Sequence, residues 1–558
     1  AVRYYQLAEN TWDATQGCAV ARVVYHFGRA DQVDPEMLRR LAASILQVTG
    51  DDVTGVGSKP GSEVKIRRSW PYGGVWVIRQ LWEQLEVEQV LLQQVPRRRK
   101  AGEMVKAIFA MVANRALVPY SKLHCWEQWL TEEVFQPDLW DLNLPHLYFG
   151  MDLLESHKAE VEKGVFFAMA DLMGADVDVV FYDTTSLNFE IDEEDESTQR
   201  KQGREYVPSR KRGYAKNGRD DVPQIVIGLA VTRDGLPVRS WVFPGNTSDV
   251  STVDRVKKDL RGWRLGRCVF VGDAGVNSKE NRRLLALGGG QYILACKMRA
   301  GDEVTKEVIT RGGRYQSVAD NLRVKEVVIG DGERRRRYVV CHNPREEERQ
   351  RKHRARLMGE LEAELDSLQQ IEGHQHSKRV CELRTSKRFG RYLRTTAGGL
   401  LEIDRSAVKD AERYDGQWVT TSNDDTLSPE DMALGYKQLM RVEQCWRQLK
   451  SGLRLRPVFH YRPWRIQAHV SLTVLGLLLE RIAEIRVGDT WRNIRYQLNK
   501  ITVVEYEHAG ARIHQTSELT PEQVSLLKQL KVALPPKLHS IDSILECSHK
   551  DRATHQDG

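Results

Sequence analysis

A 558-residue chain with 41% hydrophobic and 29% charged residues has the balance of an ordinary soluble protein of about two to four domains, and its net charge of +7 permits a nucleic-acid partner without requiring one. Its eight cysteines, at 18, 125, 268, 296, 341, 381, 445 and 547, form no CxxC pair, which argues against a zinc site and for reduced thiols in the cytoplasm. The best membrane candidate, Ala468 to Leu479, contains His469 and is too short to span a bilayer, so no membrane partner is expected.

The chain begins at Ala1, with no signal-peptide pattern, as a trimmed chain would. Residues 1–100 are expected to form an N-terminal DNA-binding region. They hold a helix-patterned run, Val75 to Leu92, between two basic patches, Lys65 to Trp70 and Arg97 to Lys100. Residues 101–172 read as several helices. The pattern then changes: Val177 to Tyr182 is a continuous β-branched and aromatic run, hence a buried strand, and it ends in Asp183-Thr-Thr-Ser186. Asn188 to Val222, acidic and then basic, is expected to be a mobile surface excursion.

Gln224 to Thr232 and Pro237 to Phe243 are strands joined by an Asp-Gly hairpin turn at Asp234-Gly235. Pro244 to Asp249 leads into a helix over about 249–260, with Asn246 and Asp249 as its capping groups. The strand Arg267 to Gly272 ends in Asp273-Ala-Gly275, and Tyr292 to Lys297 is a fifth strand. Strand, hairpin, helix, strand, helix, strand describes a mixed α/β sheet.

Residues 299–416 are more highly charged and read as an inserted domain. It has a hairpin turning at Gly330-Asp-Gly332, a helix from Arg345 to Gln370 and a further strand-rich part. Arg334 to Arg337, on that hairpin, read as a solvated face or a DNA-backbone contact. The apolar pattern resumes at Trp418. Leu427 to Gly452 then reads as one helix, with Ser428 at its N-cap, Pro429 at its first position, and Glu430 and Asp431 in its first turn. Spacings of three and four put Tyr436, Met440, Glu443, Arg447 and Lys450 on one face. A solvated helix held by Glu443–Arg447 pairing is the alternative. Trp446 is expected in the core, and His469, in a helix from about Arg462 to Ile485, is expected to be a satisfied buried histidine. Residues 173–298 and 417–486 would be the two parts of one core. Residues 487–558 read as a weakly patterned, partly helical tail for dimerisation or DNA contact.

Asp183, Asp273 and Glu443 stand out by placement. Carboxylates without His or Cys partners form an all-oxygen site suited to Mg²⁺ or Mn²⁺. Two such ions about 4 Å apart activate a water or a 3′-hydroxyl at a phosphodiester and stabilise its leaving oxygen.

Several segments together resemble the bacterial insertion-sequence transposases of the DDE type. They are Phe181-Tyr-Asp-Thr-Thr-Ser186; Ile227 to Val238 running on to Val242-Phe-Pro-Gly-Asn-Thr-Ser-Asp249; Val271-Gly-Asp-Ala-Gly275; Tyr436 through Glu443 to Lys450; and Arg465-Ile-Gln-Ala-His469. The resemblance implies an RNase H-like core with a domain inserted before the final Glu, and Asp183, Asp273 and Glu443 as the metal-binding catalytic triad. It further implies two Mg²⁺ ions, replaceable by Mn²⁺, and double-stranded DNA (transposon ends and target) as substrate. A homodimer in a synaptic complex, associated with the bacterial nucleoid, would bind terminal inverted repeats, cleave the ends and transfer the strands. The family signature is Tyr, two residues, Arg, three residues, Glu, six residues, Lys. Tyr436, Glu443 and Lys450 match it, and Tyr436 and Lys450 become DNA contacts. Leu439 stands at the Arg position, and Arg447, on the face of Glu443, is the expected partial substitute. The competing readings are a non-catalytic, DNA-binding transposase relic and a branched-DNA nuclease on the same core.

Overall fold

The computed structural model describes residues 4–13, 18–29, 64–95, 101–174, 177–216, 218–263, 268–298, 304–332, 335–508 and 510–543. The basic run Arg97 to Lys100 and Arg334 lie outside them. In chain order the strands are β1 (Tyr4–Asp13), β2 (Cys18–Arg29), β3 (Lys65–Pro71), β4 (Val179–Asn188), β5 (Gln199–Lys201), β6 (Arg204–Tyr206), β7 (Gln224–Val231), β8 (Pro237–Pro244), β9 (Val269–Gly272) and β10 (Gln291–Ala295). They continue with β11 (Gln316–Ala319), β12 (Leu322–Ile329), β13 (Arg336–His342), β14 (Leu393–Thr395), β15 (Leu401–Ile403), β16 (Gln417–Ser422), β17 (Thr502–His508), β18 (Ala511–Thr516) and β19 (Leu538–Ser543).

A nine-stranded sheet in the order β11-β12-β13-β16-β10-β9-β4-β7-β8 organises the molecule. β4 pairs antiparallel with β7, and β7 with β8, through the Asp-Gly hairpin. On its other edge β4 runs parallel to β9, and β9 parallel to β10. This is the mixed α/β, RNase H-like sheet expected from the sequence. All eight residues of β7 are buried, as a strand covered on both faces requires. One face of β7 meets the helix Met440–Arg447, and the adjoining β8 is covered by the helix Pro463–Val487, which begins at Pro463 and ends at Gly488 in the left-handed region (φ 76°). Eighteen of its residues are buried, so it is apolar nearly all round, as an interior helix must be. It packs on β8 and on the helices Ala101–Leu117 and Leu144–Ser156. Among the described residues no helix is long and apolar enough to cross a membrane.

Four expectations need correction. First, the run from Leu427 is not one continuous α-helix. Pro429–Lys437 and Met440–Arg447 are separate helices, and Gln448–Gly452 is a π-turn. Leu439, Arg441 and Val442 donate to the carbonyls of Tyr436, Gln438 and Leu439, three residues back, so the chain tightens between the helices. Second, the inserted segment is not separate from the core. β11, β12 and β13 extend the core sheet through β16, whereas the helices Pro344–Leu368 and Gly373–Thr385 and the β14–β15 pair form the remainder. The Arg335–Arg337 run is paired: Arg335 to Asp425 at 2.7 Å, and buried Arg337 to Glu326 at 2.5 Å. Third, the excursion after β4 is tied down, because Arg210 holds buried Asp195 through two nitrogens, at 2.9 and 2.6 Å. Lys211 and Gln224 also exchange backbone bonds of 3.0 Å.

Fourth, the C-terminal tail is partly helical as expected, in Trp491–Leu498 and Pro521–Gln529, but it also builds a sheet. β17, β18 and β19 pair in the order β19-β18-β17-β3, so the basic patch Lys65 to Trp70 is a strand shared with residues some 440 positions away. Arg67 pairs with Glu507 at 2.7 Å and Arg68 with Glu132 at 3.1 Å, and both arginine side chains stay about half exposed. Trp70 is 3% exposed, its ring 5.6 Å from Phe135 and 6.0 Å from His514. It is thus the residue at which the N-terminal strand, the helical layer and the tail meet. Trp70→Ala is expected to lower stability by about 3–5 kcal/mol, the usual cost of emptying a buried aromatic site. Urea unfolding of the full chain measures this, and a change below about 1 kcal/mol would show that the shared sheet is not held by this core.

Candidate active site

The parallel register of β4 on β9 builds the site. Val179 lies opposite Val269 and Tyr182 opposite Gly272, so the next residue of each strand, Asp183 and Asp273, emerges beside the other. The structure departs from the expected strand ending here, because β4 continues through Asn188, paired only with β7. Asp183 therefore sits within a hydrogen-bonded strand at the point where its other neighbour leaves. Asp273 heads a turn, its Oδ1 accepting the Gly275 N–H at 2.6 Å. A Cβ on Gly275 would lie 2.9 Å from Asp273 Oδ1 and 3.0 Å from Asp249 Oδ2, so only glycine leaves room for both carboxylates.

Asp249 is a site residue that the sequence reading assigned to helix capping. The cap of its helix is Ser248, and Asp249 is the first helical residue. Its carboxylate instead accepts a hydrogen bond from the Thr184 hydroxyl and faces the Lys216 ammonium at 3.2 Å. Lys216, from the excursion, also donates to the Thr184 carbonyl at 2.7 Å and its hydroxyl at 2.8 Å, and stands 3.7 Å from Asp183. Sequence spacing carried no signal for Lys216, one of many cations in a loop. For Asp249 the only hint was its place in the family-like Val242–Asp249 segment.

The electrostatics follow from this crowding. Burial pushes the Asp183 carboxyl up to about 6; the Lys216 charge opposes the shift, and the charges of Asp273 and Asp249 add to it. Burial pulls the Lys216 ammonium down, but Asp183 and Asp249 outweigh it and hold the group above its ordinary value. Asp183, Asp273 and Asp249 thus bring more negative charge together than Lys216 neutralises, a donor chemistry suited to a hard divalent cation.

The remaining candidates come from the broken helix. Tyr436 is half-buried; burial raises its phenol well above the ordinary range, and the charges of Asp273, Glu443 and Asp183 raise it further. One phenol therefore feels all three expected catalytic carboxylates. Glu443 and Arg447 are exposed, and no ion pair joins them. Among the described residues no three His, Cys, Asp or Glu side chains are already gathered as a metal-holding group. Lys450 reaches back to β4, donating to Thr185 Oγ1 at 2.6 Å. Burial lowers its ammonium, and Arg456 and Lys216 lower it further. Leu439, at the signature's Arg position, is 7% exposed and belongs to the main core; Trp446 is buried there too. His469 is buried and satisfied as expected, bonded to Lys122 at 3.3 Å and to the Leu455 carbonyl at 3.0 Å.

Because Asp183 binds its proton more tightly when folded than when unfolded, its ionised form costs stability above pH about 6. The cost shrinks as pH falls through that value and is gone below about 4. With metal chelated, Asp183→Asn is expected to stabilise the chain at pH 8 by up to about 3 kcal/mol and to make no difference near pH 4. Parallel urea titrations at the two pH values test this, and equal effects at both would remove the charge explanation.

Residues 180–479, more than half of the chain, match the family described as Transposase DDE domain. No curated protein matches the chain. Among solved structures, a piggyBac transposase synaptic complex with hairpin DNA, seen by cryo-EM, aligns over 76% of this chain and 78% of its own at 9% identity and a TM-score of 0.35. The matched span runs from β4 into the helix Pro463–Val487 and contains Asp183, Asp273 and Glu443. The chain belongs to the DDE transposase family.

Proposed function

We propose that this transposase binds the terminal inverted repeats of an insertion sequence as a homodimer, cleaves the transposon ends and joins the freed strands to target DNA. The observation that carries the reading is the parallel register of β4 on β9, which sets Asp183 beside Asp273 inside the span that matches the DDE domain. Glu443 lies on the helix Met440–Arg447, which packs on β4.

Asp183, Asp273 and Glu443 would hold the divalent ions, two Mg²⁺ with Mn²⁺ able to substitute, and Asp249 is the nearest additional carboxylate. When bound, such ions supply an activated water or 3′-hydroxyl and a stabilised leaving oxygen. The protein's own groups do the rest. Tyr436, whose phenol keeps its proton at neutral pH, donates to a phosphate oxygen near the carboxylates. Lys450, held by Thr185, places a cation against the DNA strand beside Asp183. Arg447, exposed on the helix of Glu443, contacts the backbone further out and takes the charge role that Leu439, in the core, does not fill.

On a duplex carrying the end of its own element, with Mg²⁺, the wild-type protein is expected to cleave at the end. Asp273→Ala and Glu443→Gln should lower that rate by about three orders of magnitude or more, reflecting the several kcal/mol a bound metal contributes. Binding of the same duplex should persist in both. Wild-type binding without cleavage, in Mg²⁺ and in Mn²⁺, would instead identify a DNA-binding relic.

A further inference from the structure

The segment that follows the Lys450 turn has a construction the catalytic reading does not use. Leu453 and Leu455 are fully buried, whereas Arg454 and Arg456 between and after them are exposed. Phe459 is 72% exposed and Tyr461 61%. The backbone beneath is held from inside. Buried Arg115 donates to the Leu453 carbonyl at 3.3 Å and the Arg454 carbonyl at 3.1 Å. His469 Nε2 bonds the Leu455 carbonyl at 3.0 Å, and the Leu455 N–H bonds the Leu449 carbonyl at 2.8 Å. Arg454 is fixed in the left-handed region, at φ 45°, a conformation a non-glycine residue keeps only when its surroundings impose it.

The charge on this strap is one-sided. Among the described residues no carboxylate pairs with Arg454, Arg456 or Arg462, nor with Arg115 and Lys122 below. The guanidinium groups lie over rings instead: Arg454 is 5.2 Å from the centre of Tyr120, and Arg462 is 5.8 Å from Tyr461 and 5.6 Å from Trp464. The strap starts beside the site, since Lys450 touches Thr185, two residues from Asp183, and lies within the field of Arg456.

Duplex phosphates alone would be met by cations. Two large rings held this far into water, interleaved with unpaired arginines, match a ligand that presents flat faces and negative charge together, which is an unpaired nucleic-acid strand. We propose that the strap Arg454–Arg462 grips unpaired nucleotides of the DNA strand next to the carboxylates, Phe459 and Tyr461 stacking on bases and Arg454, Arg456 and Arg462 on phosphates. The identity of the gripped strand as the one being cut rests on the transposase reading above.

The test uses the full chain in EDTA and two probes: a blunt duplex, and the same duplex with a 3′ tail of about ten nucleotides containing 2-aminopurine. The wild type should bind the tailed probe more tightly and quench its fluorescence. Phe459→Ala and Tyr461→Ala should each weaken tailed-DNA binding about tenfold, the effect of losing one base–aromatic stack, and restore the fluorescence. Binding to blunt DNA should stay within about twofold, and Phe459→Trp should retain the quench. Equal losses on both probes, or none on either, would overturn the strap. The two readings separate cleanly. Tail preference without metal-dependent cleavage retires the catalytic reading alone, and cleavage without tail preference retires the strap alone.

Discussion

The parallel pairing of β4 with β9 is the constraint on which the site depends. Hydrogen bonding in register from Val179–Val269 to Tyr182–Gly272 leaves Asp183 and Asp273 no choice but to stand side by side. Two carboxylates in a partly buried place repel each other, and the burial and repulsion appear in the raised Asp183 carboxyl. The fold tolerates this because each acid has a local anchor: a turn amide for Asp273, the Thr184 hydroxyl for Asp249, and the Lys216 ammonium shared between Asp183 and Asp249. Such an arrangement is costly for a scaffold and useful for a site that must attract cations.

Around that pairing, the rest of the chain brings the other groups into reach. The break at Gln438–Leu439 lets Pro429–Lys437 pack over β10, β12 and β13 while Met440–Arg447 crosses β4 and β7. Tyr436 ends up half-buried near the acids, and Leu439, at the bend, fills core volume. A single straight helix would hold these residues on one face, but could not follow the sheet in both places. The long insertion between β10 and β16 is accommodated because its first strands add to the sheet edge; the polypeptide leaves the core without leaving its hydrogen bonding.

A second joint lies where β3 meets β17. β3 takes its partner from β17, so the region expected to read DNA and the region expected to be a weakly patterned, partly helical tail share one sheet and one aromatic core. The ion pairs of Arg67 and Arg68 are partly exposed and contribute little, roughly 0–1 kcal/mol each. Trp70 and its ring neighbours outweigh them. The basic residues Arg67 and Arg68 thus sit on a strand whose ion-pair partners, Glu507 and Glu132, come from distant parts of the chain.

What the sequence determined by itself was local: the apolar runs of β4, β7, β8, β9 and β10, the Asp-Gly hairpin, the N-cap at Ser428, and the helix from about Arg462 to Ile485. Period, turn chemistry and capping depend on neighbours within a few residues, so they are legible in one dimension. The family resemblance added Asp183, Asp273 and Glu443 as a set, and the structure placed the two aspartates side by side. Only the tertiary structure decided the continuation of β4 past Asp183, the bend at Leu439, the union of β3 with β17, and the entry of Asp249 and Lys216 into the site. Each depends on partners between about 30 and 440 residues away, whose pairing is decided by sheet register and packing. A lysine in a basic loop and an aspartate at a helix start look like many others until the chain that separates them from Asp183 has folded back.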